Sequence, residues 1–421
     1  MLKSLLPASL SERYGVFAGT NRFSESLTAL SSLFSGNFND SAVISEYEKQ
    51  FAIATDAKHA IAFGAGRMAL YAALQAVELK KGDEVILPAF TCVVVPNAFL
   101  YSGVVPIYVD IDSRTFNLDI QLIEEKISPR TKAIYLQNTF GLVSDFEAIR
   151  TLANRYHLIL IEDAAHSLGA TSGDKRSGSL GDIAFFSTDH SKVINTVVGG
   201  MVTTSRPEWA DRLREIQNQS GVLSDKTVLK LIFTFVFEQI FYSRILLWLG
   251  EPLSRVLSKL RMTFFFSDEM SLNRPLLKYP YPCRLPSPLA KIGLSQLKGL
   301  AQNLKYRRHI ATQCENILKA NSHLSTLEFQ QSAWLRYSFT VNDREDFENF
   351  MSNRFSLGTW FTSVVHGRNT HLEAVGYRAG SCPVAERMAQ TVVNVPTHPR
   401  IKETILINKL KKYVSRTTQK D

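Results

Sequence analysis

The 421 residues carry 48 Lys and Arg against 39 Asp and Glu, a formal net charge of +9 with neutral histidines. Hydrophobic residues make up 45% and charged residues 21%, which excludes a disordered tail, a collagen-like chain and a coiled coil. The length is about three times that of a typical domain, which predicts one large and one smaller domain. The basic excess is small and shows one concentration, Lys402 to Lys420, which reads as a solvated last helix or a contact with acidic lipid or an anionic substrate. No nucleic-acid partner is expected. Cys92, Cys283, Cys314 and Cys382 are far apart, so neither a zinc site nor a disulfide framework is expected, and a cytoplasmic location fits. The apolar run at the N-terminus is broken by Pro7 and is too short for a secretory signal.

From about Lys58 to Thr204, short β-branched runs alternate with helical stretches. HAIAF, RMALYAALQAVEL, DEVILP, VPNAFLYSG and VPIYVDI come first. LDIQLIEEKI, KAIYLQ, DFEAIRTLANRYH, LILIEDAA and IAFFST follow. This order predicts an α/β fold with a mostly parallel sheet covered on both faces. Between Ser220 and Pro288 the pattern changes. Leu229 to Leu249 is apolar almost all round, with Phe233, Phe235, Phe237, Phe241 and Trp248. Lys230, Glu238 and Arg244 inside it argue against a membrane span, leaving an interfacial helix or a packing helix. Lys259 and Arg261 ahead of MTFFFSDEM support the interfacial option. From about Leu289 a single helix is predicted through Leu318, then a strand in WLRYSFTV, a helix in DREDFENFMSNRF and a last helix over 401–414. The expected organisation is a large α/β domain with an N-terminal arm (1–220), an apolar helical insert (221–288) and a small α+β domain (289–421).

Three segments carry chemistry. In FGAGRMALYAAL, Phe63 to Leu74, a strand ends in glycines and a helix follows at once, so backbone N–H groups and the positive helix end can face an anion. Gly64, Gly66 and Ala69 satisfy a loose dinucleotide pattern, but Asp83 and Glu84 precede the next strand and would lie at the wrong end of the sheet for a ribose. A phosphate site or a ligand-free turn remains. In LILIEDAAHSLGA a hydrophobic strand ends in Glu162 and Asp163, with His166 three residues on. Asp163 suits a cationic ring nitrogen in the ligand crevice, and helix capping is the plain alternative. A metal would need more ligands than Glu162, Asp163 and His166 supply. In the third segment the strand AFFS leads into a polar loop, Ser187 to Lys192, and Gly199-Gly200 opens another strand. A lysine beside a phosphate loop and a buried acid suggests Schiff-base chemistry.

Taken in order, the glycine loop, Asp-Ala-Ala-His and Ser-x-x-x-x-Lys resemble the DegT/DnrJ/StrS family of pyridoxal 5'-phosphate (PLP)-dependent sugar aminotransferases, which have the type I aminotransferase fold. ISEYEKQFA, GDEVILPAFTCVVVPNAFLYSGVVPIYVDID, IGLSQLKGL and CPVAERMAQTVVNVPTHPRI extend the resemblance over nearly the whole chain. It implies that Lys192 carries the cofactor in Schiff-base linkage and shuttles the substrate proton. It implies that Asp163 pairs with the pyridine nitrogen, that His166 sits by the ring oxygen, and that Ser187, Gly66 and Arg67 hold the phosphate. It further implies a keto sugar substrate, nucleotide-linked, an amino-acid donor such as glutamate, a homodimer, and a place in polysaccharide, lipopolysaccharide or amino-sugar biosynthesis.

Departures from the family pattern bear on the substrate. Arg67 replaces the usual Thr or Ser. Cys92 stands where an aromatic residue stacks on the cofactor, and Phe90 nearby is expected to point elsewhere. Val193 and Val198 replace an Asn and a Glu, and Pro282-Cys283-Arg284 replaces Asn-Tyr-Arg. Sugar dehydratases related to the family are one alternative. Their known variant carries histidine in place of the lysine that Lys192 retains. A non-catalytic binding protein on the same fold is another.

Overall fold

A computed structural model describes residues 12–143, 145–264, 280–318 and 330–418. Two helices, α1 (Phe23–Ser35) and α2 (Ser41–Thr55), precede the sheet. Asp40 starts α2 by accepting from the N–H groups of Ala42 and Val43. The sheet strands are β1 (His59–Phe63), β2 (Glu84–Pro88), β3 (Val105–Val109), β4 (Thr131–Gln137), β5 (Ile159–Asp163), β6 (Ile183–Ser187) and β7 (Gly200–Thr204). They lie in the order β1-β7-β6-β5-β4-β2-β3. All neighbours pair in parallel except β7, which runs antiparallel to both β1 and β6. Between strands run α3 (Gly66–Ala76), α4 (Val94–Tyr101) and α5 (Phe146–Arg155), and α6 (Pro207–Gln219) follows β7.

β2 and β7 are buried along their whole length. Helices cover both faces, as parallel sheets require. The C-terminal ends of β2, β4, β5 and β6 open on one edge, where Pro88, Gln137, Asp163 and Ser187 lie. That edge holds the ligand crevice in open α/β sheets.

The stretch LDIQLIEEKI does not form the expected helix. It makes two 3₁₀ turns, Ile120–Leu122 and Glu124–Lys126. Asp119 caps the first by accepting from Gln121 N–H, and the fully buried Ile123 anchors the joint in the core.

The apolar stretch after Ser220 is two helices, α7 (Asp225–Phe241) and α8 (Leu247–Lys259). Along α7, Val228, Leu231, Ile232, Phe235, Phe237 and Glu238 are buried, while Leu229, Phe233 and Ile240 are exposed. Helix α1 packs beside α7 and also exposes Phe23, Leu27, Leu30 and Leu33. Among the described residues, no helix is long and apolar enough to cross a membrane. Most of the aromatic run after Arg261, the first eleven residues and the final basic residue Lys420 lie outside the described residues.

The long helix expected beyond Leu289 is divided into α9 (Ser287–Lys298) and α10 (Leu300–Leu318). The Arg22 guanidinium crosses at the break, so close that a Cβ on Gly299 would lie 1.8 Å from its Nη2. A two-stranded antiparallel sheet follows, β8 (Arg336–Thr340) with β9 (Val392–Pro396), surrounded by α11 (Arg344–Ser352), α12 (Pro383–Thr391) and α13 (Glu403–Thr418). Ile310, Trp334, Tyr337, Phe347 and Leu406 form a core of their own there.

Candidate active site

A cavity of about 400 Å³ opens at the C-terminal edge of the large sheet. Gly66, Arg67, Cys92, Asp163, His166, Ser187 and Lys192 all line it. The seven residues expected at the cofactor site therefore meet in one place, although up to 126 positions separate them (192 − 66).

The glycine loop supplies one wall. Helix α3 begins at Gly66 with Ala65 at its N-cap, which offers no side-chain cap. The positive end of the helix is thus left for an anion. A side chain on Gly66 would put its Cβ 2.6 Å from Ser187 Cβ, so only glycine lets the helix start this close to the end of β6. The Pro282-Cys283-Arg284 segment braces the loop from outside. The Cys283 carbonyl accepts from Gly64 N–H at 2.8 Å, and Arg284 Nε donates to the Gln217 carbonyl.

The end of β5 separates two acids by strand alternation. Glu162 is completely buried on one side. It accepts from Ser177 Oγ, Asn138 Nδ2 and the N–H groups of Gly178, Leu180 and Gly181. It therefore anchors the loop before β6. Asp163 turns to the cavity and accepts from Tyr135 Oη at 2.5 Å and Ala165 N–H at 2.9 Å. Burial pushes its pKa up, against those hydrogen bonds and the nearby Lys192. Among the described residues, no group of three His, Cys, Asp or Glu side chains could hold a metal.

Burial holds His166 well below the usual histidine range, and the positive charges of Lys192 and Arg336 add to it. The imidazole is therefore neutral. Its Nδ1 accepts from Phe140 N–H at 3.2 Å, which places its proton on Nε2.

Lys192 lies on a loop pinned from several sides. Thr196 Oγ1 bonds the Thr188 and Val198 carbonyls. Gln296 on α9 grips both the N–H and the carbonyl of Asn195, and Asn303 on α10 holds the Val193 carbonyl. Burial lowers the proton affinity of Lys192; Arg336 also lowers it, while Asp189, Asp163 and Cys92 oppose the shift.

Several cavity residues carried no sequence signal of their own. Trp360 and Phe361 supply the aromatic wall that Cys92 does not, and the Phe361 ring lies 6.5 Å from His166 at 23°. Phe90 is fully buried against Phe116, Phe140 and Phe361 and takes no part in the wall. Thr91 lines the cavity with its buried Oγ1 unpartnered. Arg336, which does not itself line the cavity, is buried on β8 with its guanidinium 3.5 Å over the Trp360 ring and Nη1 and Nη2 unpartnered. Asp189 and His190 line the cavity beside Lys192. They stood in the polar loop, but nothing in the sequence set them apart.

An open parallel-type sheet with one antiparallel strand, a loop lysine, a strand-end acid and an uncapped helix N-terminus are the features of a PLP-dependent transferase of the type I fold. Comparison with known proteins agrees. The model of the DegT/DnrJ/EryC1/StrS aminotransferase family matches residues 22–237 and 262–408, and the chain belongs to that family. The GDP-perosamine synthase of Caulobacter vibrioides is 46% identical over 176 residues, which are 42% of this chain and 47% of that protein. The spore coat polysaccharide biosynthesis protein SpsC of Bacillus subtilis is 28% identical over 88% of each chain. The solved aminotransferase of Psychrobacter cryohalolentis superposes with a TM-score of 0.74 at 20% identity, covering 95% of this chain and 98% of that one.

The residues present fit the cofactor. The Gly66 cradle, Ser187 and Arg67 suit its phosphate, Asp163 suits its ring nitrogen and Lys192 suits its aldehyde.

Proposed function

We propose that the chain transfers an amino group from an amino acid, glutamate in the simplest reading, to a nucleotide-linked keto sugar. The product would serve cell-surface polysaccharide or amino-sugar biosynthesis. The name of the 46%-identical relative, a GDP-perosamine synthase, supports the nucleotide-sugar class. The observation that carries the reading is the meeting of Lys192 and Asp163, both buried, with the α3 N-terminus in one cavity. When bound, the cofactor supplies an electron sink for a carbanion beside the transferred nitrogen. The protein does the rest. Lys192 holds the cofactor and then moves the proton at the substrate carbon. Its lowered proton affinity leaves it more readily neutral, the form that attacks a carbonyl. Asp163 keeps the ring nitrogen protonated, and neutral His166 presents a donor to the ring. Ser187, Arg67 and the start of α3 hold the phosphate.

Purified protein should absorb near ~420 nm, and borohydride should fix the cofactor on the Lys192 peptide. An unmodified Lys192 peptide after that treatment overturns the enzyme reading. Labelled glutamate offered with nucleotide-linked keto sugars then identifies the acceptor.

The homodimer is part of this proposal, supported by the exposed apolar row of Phe23, Leu27, Leu229 and Phe233 on α1 and α7. A second reading, favoured by the exposed Leu249 on α8 and the exposed Ile245 and Leu260 just outside its two ends, is contact with the inner membrane surface by a cytoplasmic protein. Phe233→Glu tests both. Dissociation in light scattering supports the dimer, and release from anionic vesicles supports the membrane contact.

A further inference from the structure

Past its first residue, Asp225, the apolar helix α7 carries one acid, Glu238, and its side chain is 2% exposed. A buried carboxylate costs several kcal/mol unless it is paired, so its retention in such a helix needs a reason. The reason lies in the cavity. His190 Nδ1 stands 2.5 Å from Glu238 Oε1, and His190 lines the cavity with a side chain 11% exposed. The His190 backbone is held as well, its carbonyl accepting from Ala18 N–H at 3.0 Å, and Phe17 meets its ring edge-on at 6.1 Å. The preceding residue, Asp189, is fixed by Ser191 N–H and Oγ on its Oδ1, and shares the cavity wall with Lys192.

We propose that helix α7 is a working part of the active site: Glu238 is a positioning residue that holds His190 as a cation on the cavity wall, and His190 in turn balances Asp189, the carboxylate beside Lys192. The order of influence is Glu238, His190, Asp189, Lys192. The charges support it. Burial alone would keep His190 neutral, but Glu238 and then Asp189 raise its proton affinity above the usual histidine value. Asp189 is held below the usual carboxylate range against its burial, by Lys192 first and His190 next. Besides Asp189, the groups acting on Lys192 are Arg336 from β8, Asp163 from β5 and Cys92 from the short strand Thr91–Cys92. The groups near Glu238 are His190, Arg400 and Tyr242. The inference rests on reading Lys192 as the cofactor lysine.

The test uses Glu238→Gln, Glu238→Leu, His190→Gln and the Glu238→Gln/His190→Gln pair in the full chain. Each removes the cation at 190, leaves Asp189 uncompensated and makes Lys192 hold its proton more tightly. In protein loaded with PLP, the pH midpoint of the ~420 nm band should rise by about one unit in every variant. In cofactor-free protein, amine-reactive labelling of Lys192, read by mass spectrometry, should move to higher pH by a similar amount. The pair should shift no further than either single change. Glu238→Leu suits an apolar helix and should melt no lower than the parent while still shifting both midpoints. Variants that melt lower yet leave both Lys192 midpoints in place overturn the proposal and make Glu238 purely structural. Additive or opposite shifts overturn it too. If the parent never takes up PLP, the functional reading fails, while the labelling of the cofactor-free chain still decides this inference.

Discussion

Glu162 and Asp163 are adjacent acids with opposite assignments, and exchanging each separates architecture from chemistry. Glu162→Ala removes the acceptor for the N–H groups of Gly178, Leu180 and Gly181, besides Ser177 Oγ and Asn138 Nδ2, in a place closed to water. Each stranded donor costs about 1–3 kcal/mol, so a loss of roughly 4–6 kcal/mol remains after relaxation. That is a large share of the roughly 5–15 kcal/mol that holds a fold. Asp163→Asn keeps the shape and an acceptor for Ala165 N–H, and it relieves a charge that burial disfavours. Stability should change by less than about 1.5 kcal/mol. The ring nitrogen of the cofactor loses its counter-charge, and PLP should bind about 100-fold more weakly, equivalent to about 2.7 kcal/mol. Urea unfolding of the cofactor-free variants and an absorbance titration with PLP measure the two quantities. The reasoning fails if Asp163→Asn destabilises as much as Glu162→Ala, or if Glu162→Ala loses cofactor while unfolding like the parent.

Acid should weaken the fold before it affects most carboxylates. His166, His366 and His398 are kept neutral chiefly by burial, with His366 lowered to about 4 and His398 to about 3. The unfolded chain protonates them near pH 6.5, so their contribution is complete above that value and is lost as pH falls toward the folded values, by up to ~1.4 kcal/mol per pH unit for each histidine. Melting temperatures measured from pH 7.5 to 4.5 should fall most steeply below 6.5, and a flat profile refutes this. Gly66→Ala drives a methyl against Ser187, so PLP should bind about tenfold more weakly with a stability loss of about 1–3 kcal/mol; unchanged cofactor affinity counts against the cradle. Arg336→Gln removes a cation that depresses both Lys192 and His166. The ~420 nm midpoint should rise, and a fall contradicts the assigned charge balance.

The order of elements was legible because the strands of the parallel part are short, apolar and separated by helical periodicity. β1, β2, β3, β5 and β6 all fall inside runs recognised that way, as does β4 from its second residue. The site was legible to the extent that its chemistry is local in sequence. The glycine turn, the strand-end acid and the loop lysine each announce themselves. What stayed hidden depends on tertiary approach. The break at Gly299 lies where Arg22 passes, a contact across 277 positions (299 − 22). Trp360 and Phe361 reach the cavity from a stretch with no periodicity, and Arg336 looks like any residue on a strand until its burial over Trp360 is seen. Glu238 looked like a fault in an apolar helix, and only the fold supplies His190 as its partner.

The modest +9 of the whole chain says little about this cavity, where the balance is local. Lys192 and Arg336 bring positive charge, Asp163 and Asp189 bring negative charge, and His166 stays neutral. A phosphate entering at Gly66 adds negative charge against Arg67 and the helix end. With Asp163 assigned to the cofactor ring, as proposed above, Asp189 would be the carboxylate left to act on Lys192. A cation at His190 prevents that carboxylate from locking the lysine in its protonated form. This gives the helix after Ser220 a physical task inside the site: it carries Glu238 to within 2.5 Å of the His190 ring.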